Sequence, residues 1–135
     1  MSKKKLKSIK SERAPAVIGP YSQAVRVGEL LFVSGQIPVD PATGELVEGD
    51  AAAQAQQVLR NLESVVTAAG GSLSQVMRSG MFLVDLADFQ AVNQVYSSYF
   101  HPPYPARSTV QVAALPKGAR VEIEAVVHLK SKPKI

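Results

Sequence analysis

The 135-residue chain contains no cysteine and no tryptophan, only two histidines, and aromatics at just 6%. Without cysteine there is no disulfide framework, no thiolate nucleophile and no sulfur-based metal site. His101, set beside prolines, and His128, in an apolar run, do not form a metal-ligand pair, so no metal is expected. No glycine-rich phosphate loop is present, and no cofactor is expected either. Ser34, in Phe32-Val33-Ser34-Gly35-Gln36, lacks the glycine two residues earlier that a nucleophile elbow carries, and no histidine lies near it in sequence. No apolar run approaches the ~20 residues needed to span a bilayer. The basic N-terminus lacks the apolar stretch of a signal peptide. These absences lead to the expectation of a cytoplasmic protein with no membrane partner.

What is present suits one small core. Hydrophobic residues make up 46% and charged residues 19%, in a chain too short for two independent cores. The net charge of +4 is unevenly spread: residues 1–13 carry +5, residues 130–135 carry +3, and residues 14–129 are left at −4. A nucleic-acid-binding domain more often gathers Lys and Arg on a folded face, so nucleic acid is expected as a non-specific partner at most. The expected organisation is a basic tail with an edge strand over 1–13, one domain over 14–130, and a basic tail over 131–135.

Apolar periodicity supplies the elements. An edge strand is expected around Leu6–Ser11, and two strands, Ala24–Val27 and Leu30–Ser34, flank the two-residue turn Gly28-Glu29. Ile37–Gly49 reads as a loop carrying the turn Asp40-Pro41-Ala42-Thr43-Gly44. Asp50 is placed to cap a helix in which Val58, Leu59, Leu62, Val65, Val66 and Ala69 recur at helical spacing, until Gly70-Gly71 stops it. Val76–Val84 is a strand, weakened by Gly80. A second helix starts at Leu86 or Asp88 and ends at Phe100, with Phe89, Val92, Tyr96, Tyr99 and Phe100 on one stripe; Pro102, Pro103 and Pro105 forbid its continuation. Strands Arg107–Ala113 and Val121–Leu129 follow. The order β-β-β-α-β-α-β-β predicts an α/β (α+β) fold, a mixed sheet with two helices on one face. Leu30 and Phe32 share one side of their strand, Leu31 and Val33 the other, so both sides are apolar and self-association is expected.

Alternation on the last two strands, expected as a hairpin, points to chemistry. Arg107, Thr109 and Gln111 share one side of the first; Arg120, Glu122, Glu124 and His128 share one side of the second. An arginine fork grips a carboxylate through two parallel charge-assisted hydrogen bonds. A glutamate at a partly dry site gains basicity and can move a proton to or from water. Together they suit a small carboxylic acid attacked by water; a structural ion-pair network of Arg107, Glu122 and Glu124 fits the spacing equally well. Spacing does not choose between Glu122 and Glu124. Tyr21, in the Gly19-Pro20-Tyr21-Ser22 turn, suits core or site, and Asn93 sits mid-helix without a propensity advantage.

These segments, taken in order, resemble the RidA family, also called the YjgF family. The resemblance rests on Ala14-Pro15-Ala16-Val17-Ile18-Gly19-Pro20-Tyr21-Ser22-Gln23-Ala24, Val33-Ser34-Gly35-Gln36-Ile37-Pro38 and Asp40-Pro41-Ala42-Thr43-Gly44-Glu45. It continues through Asp88-Phe89, Val92-Asn93, Pro105-Ala106-Arg107-Ser108, Ala114-Leu115-Pro116-Lys117-Gly118 and Val121-Glu122-Ile123-Glu124-Ala125, and so runs from about residue 5 to 129. It implies a chorismate-mutase-like fold, a homotrimer with sites between subunits, and hydrolysis of 2-iminobutanoate and 2-iminopropanoate, a reaction on a C=N bond without a cofactor. It also implies that Arg107 clamps the substrate carboxylate, that Glu122 handles water, and that Tyr21, Ser34 and Asn93 line the pocket. Some members of the family carry cysteine where this chain has Thr109, so a role there falls to its hydroxyl, its backbone N–H or its shape. Two other readings stay open: an RNA-cleaving translation inhibitor, and a small-ligand-binding module or holdase without catalysis.

Overall fold

The computed structural model describes residues 5–130; the expected C-terminal basic tail, 131–135, and the first four residues of the N-terminal one lie outside them. Six strands and two helices follow in the expected order: β1 (Lys7–Ile9), β2 (Ala24–Val27), β3 (Leu30–Gln36), α1 (Ala51–Ala68), β4 (Val76–Leu83), α2 (Phe89–Tyr99), β5 (Ala106–Gln111) and β6 (Val121–His128). Short 3₁₀ turns at Leu73–Gln75, Leu86–Asp88 and Pro116–Gly118 punctuate them. The middle one accounts for the two possible starts of the second helix: the chain coils at Leu86 and becomes α-helical at Phe89.

Local chemistry sets the element ends. Gly28 adopts φ 59°, which lets β2 turn straight into β3 with Val27 opposite Leu30. The Asp50 carboxylate accepts the Ala53 N–H at 2.9 Å and caps α1. At the other end Gly70, at φ 85°, turns the chain so that the Gly71 N–H reaches back to the Val66 carbonyl.

The sheet runs β1-β2-β3-β6-β4-β5, antiparallel throughout except for the parallel pair β4–β5. This corrects the expected β5–β6 hairpin. The last strand inserts between β3 and β4 at the centre of the sheet, and β5 becomes an edge strand with β4 between it and β6. The physical reason lies in β6 itself: Val121, Ile123, Ala125 and Val127 are buried, and a strand so apolar on one side gains most with a neighbour on each edge.

Both helices cover one face. Leu31 and Val33 of β3, Met81 and Leu83 of β4 and the four aliphatics of β6 pack beneath Val58, Leu59, Leu62, Val65 and Val66 of α1 and Val92 and Tyr96 of α2. Each large aliphatic side chain buried there contributes roughly 1.5–3 kcal/mol relative to exposure. The other face has no helix. Leu30, Phe32 and Val110 remain 37%, 47% and 45% exposed on it, as the two-sided apolar pattern of β3 foreshadowed.

Candidate active site

The register across β4 places Arg107 and Glu122 on opposite faces of the sheet. Arg107 lies opposite Ser79, which lies opposite Ala125: that row faces the helices. Glu122 lies opposite Phe82, and Glu124 opposite Gly80: those rows face the open side. Within one chain Arg107 and Glu122 are on opposite faces of the sheet and cannot hold one substrate between them. Each strand keeps its polar set on one side, as alternation predicts, but the two sets face opposite ways, and the candidate residues fall into two groups.

The first group lies at the end of β3. Between Val33 and Gln36 the β3–β6 register shifts by a bulge, and Ser34 and Gly35 sit in it. The Ser34 N–H bonds the Gln23 carbonyl at 2.9 Å, and its hydroxyl donates to the Ser22 carbonyl at 2.6 Å, so this side chain fastens the segment beside Tyr21. Gln23 holds the preceding stretch, donating to the carbonyls of Ser11 and Pro15 and accepting the Ser11 N–H. The segment so pinned forms one wall of a cavity of about 360 Å³, lined by Val17, Ile18, Tyr21, Gly35, Ile37 and Pro116 among others. Tyr21 is 56% exposed there and does not join the core.

Glu122 reaches this region through Gly35. Its side chain occupies the space where any Cβ on residue 35 would stand, although Gly35 has an ordinary backbone conformation. The glycine is required for room, and its absent side chain lets the carboxylate lie against β3. Burial, and then the negative charge of Glu124, push the Glu122 carboxyl above its ordinary value. Neither carboxylate has an ion-pair partner among the described residues.

The second group lies under α2. The Arg107 guanidinium stacks on the Tyr96 ring at 4.7 Å and on the Phe89 ring at 5.5 Å, while Tyr96 is fixed by a 2.7 Å hydrogen bond between its hydroxyl and that of Ser79. Arg107 has no carboxylate partner among the described residues, so the ion-pair network that spacing allowed is not formed. Arg107, Asn93, Tyr96 and Tyr104 line an open cleft of about 450 Å³. Thr109 is half-buried two residues along, in the row of Met81 and Ile123, and lines neither cavity.

Two residues that the sequence reading passed over frame the first cavity from behind. Asn61 of α1, fully buried, donates to the carbonyls of Ile37 and Val39 at 3.1 and 2.9 Å. Gln54, two turns earlier on the same helix, accepts the Arg120 N–H at 2.8 Å just ahead of Glu122. Both are polar positions inside an apolar helical stripe, and that interruption is the signal that could have found them. At the rim, Lys117 donates to the Gly44 carbonyl at 3.1 Å.

Fold and site together describe an α+β protein with two groups of candidate residues, each beside a cavity, and known proteins share this fold. Residues 11–129 match the family model described as Endoribonuclease L-PSP. A RutC family protein of Sinorhizobium fredii is 52% identical over 92% of this chain and 98% of its own. The 2-iminobutanoate/2-iminopropanoate deaminase of Bos taurus is 50% identical over 89% of this chain and 88% of its own. The crystal structure of RidA from an Antarctic Psychrobacter superposes with a TM-score of 0.88 at 49% identity, covering 91% of this chain and 99% of that one. The chain belongs to this Endoribonuclease L-PSP family, to which the RidA proteins are assigned.

Proposed function

We propose that the chain is a cytoplasmic homotrimer that hydrolyses 2-iminobutanoate, 2-iminopropanoate and related 2-imino acids to 2-oxo acids and ammonia. The observation that carries this reading is Arg107: a guanidinium held by two aromatic rings, with no carboxylate partner among the described residues, lining an open cleft. Such a group is pre-organised for a ligand carboxylate, whose two charge-assisted bonds contribute about 1.5–3 kcal/mol each. The deaminase name of the Bos taurus relative supplies the reaction class.

A second copy completes the site. Because Arg107 and Glu122 face opposite sides of their own sheet, the Arg107 cleft beside edge strand β5 of one copy meets the open face, and with it the Glu122 carboxylate, of another. Three copies is the number that the RidA resemblance implies. The substrate carboxylate docks on Arg107, with the Thr109 backbone N–H as a second donor and Asn93 beside it. Tyr21 and the Ser34-anchored segment border the Glu122 side. The iminium carbon C2 is electrophilic through its own charge. Glu122 takes a proton from water as the oxygen attacks C2 and the C=N π pair moves to nitrogen, and it returns that proton to the nitrogen. It then accepts the remaining hydroxyl proton as the carbonyl forms and the C–N bond breaks, releasing ammonia and the 2-oxo acid, and passes that proton to solvent.

The test couples the protein to a threonine dehydratase with semicarbazide present to trap released imine. Faster 2-oxobutanoate formation with less trapping, lost by roughly 10²–10⁴-fold in Arg107→Ala, is expected from two charge-assisted bonds. Equal trapping with and without the protein overturns the reading. The family's endoribonuclease description keeps RNA cleavage as the second reading; it is favoured instead if the protein cleaves RNA at physiological salt while leaving imine trapping unchanged.

A further inference from the structure

Two glycines on the open face each make room for one glutamate of β6. Glu122 leans toward β3 over Gly35, and Glu124 leans the other way, toward β4 over Gly80. A Cβ at Gly80 would stand 3.1 Å from both Cγ and Oε2 of Glu124, although Gly80 has no unusual φ. Gly80 therefore costs β4 strand propensity and gives Glu124 a seat. The Glu124 side chain makes no hydrogen bond or ion pair among the described residues, so the seat does not serve a structural bridge. Its carboxylate is held two residues from Glu122 on the same strand side, about 7 Å along the chain.

The remaining charges around Glu122 do not cancel this neighbour. On β4, Arg78 turns toward β5, its guanidinium 3.4 Å from the Ser108 hydroxyl and 3.4 Å from the Ser79 carbonyl. Arg120 precedes β6 and is exposed, and His128 at its far end bonds Glu29 at 3.0 Å. Lys117 is engaged with the Gly44 carbonyl across the rim, β3 carries no charged residue, and the loop before β2 brings the Tyr21 phenol to the cavity that Gly35 lines.

We propose that Glu124 is a positioning residue for imine hydrolysis: its charge, seated over Gly80, sets how readily Glu122 takes a proton from water. The inference rests on the reading of Glu122 as the group that handles water. A carboxylate at its ordinary basicity is a poor base at neutral pH; a fixed like charge makes it a better one without touching the substrate. The direction already found for Glu122, upward by burial and by Glu124, agrees with the geometry.

The experiment compares kcat/KM against pH for the native protein, Glu124→Gln, Glu124→Asp and Glu122→Gln, with the assembly state of each checked. In Glu124→Gln the acid limb moves to lower pH and the plateau falls while KM stays; Glu124→Asp keeps the limb near its native place. An unmoved limb in an assembled Glu124→Gln protein overturns the inference. Full activity in Glu122→Gln overturns the parent reading instead. Should Glu124→Gln fail to assemble, the native protein is titrated at rising salt, where screening of the Glu122–Glu124 repulsion moves the acid limb down; a salt-independent limb overturns the inference.

Discussion

On the helix side of β6, Val121, Ile123, Ala125 and Val127 are at most 4% exposed; on the other side Glu122, Glu124, Val126 and His128 are only half-buried. Eight consecutive residues thus serve two environments by alternation alone. The covered side is uniformly aliphatic and holds the fold. The open side mixes carboxylates with apolar surface, an arrangement that costs stability and is retained where a site or a second copy uses it. Stability and chemistry are separated by the thickness of one sheet, so substitutions on the two sides have different consequences.

The sharpest contrast comes from the core. Leu59→Ala removes a fully buried side chain of α1 and is expected to cost about 2–5 kcal/mol in urea unfolding. A loss as small as that of a surface substitution would mean that the helix layer is not what holds the sheet. On the open face, Phe32→Asp should leave far-UV circular dichroism intact while sedimentation shows the assembly falling to single chains. An unchanged sedimentation coefficient would place the contact between copies elsewhere.

The smallest effect concerns Glu122→Gln, through pH. The folded Glu122 carboxyl sits above its unfolded value, so the native state binds this proton more tightly than the unfolded chain does. The resulting stabilisation is fully present below the unfolded pKa and is lost as pH rises through the folded one. At neutral pH the native protein carries this penalty and the Gln variant does not. The variant should therefore melt slightly higher at neutral pH, with the gain vanishing under acid conditions. A lower Tm at neutral pH would show that the ionised carboxylate is held by favourable contacts.

Elements whose signals are local were legible in the sequence. The Asp50 cap, the aliphatic stripe and Gly70-Gly71 delimit α1, and Gly28 marks the β2–β3 turn, because each acts within a few residues. The neighbours of β6 were not legible. Its partners are β3, some 90 residues earlier, and β4, and nothing in the adjacent β5 forbids a hairpin. Alternation says which residues share a side within one strand, but only the pairing through β4 shows that Arg107 and Glu122 lie on opposite faces. By propensity Gly80 is a weak point of a strand, since propensity registers only the missing side chain; what fills the space comes from another strand. Helical spacing assigns Phe89 and Tyr96 to a core stripe. Tyr96 is core, but both rings also carry the Arg107 guanidinium.

Asn61 and Gln54 grip the first cavity by main-chain atoms alone: two carbonyls on one loop and one N–H ahead of β6. Those anchors are indifferent to the side chains that the gripped residues carry. Exchange of Ile37, which is only half-buried, therefore changes the cavity's lining while the hydrogen bonds that hold the loop stay in place.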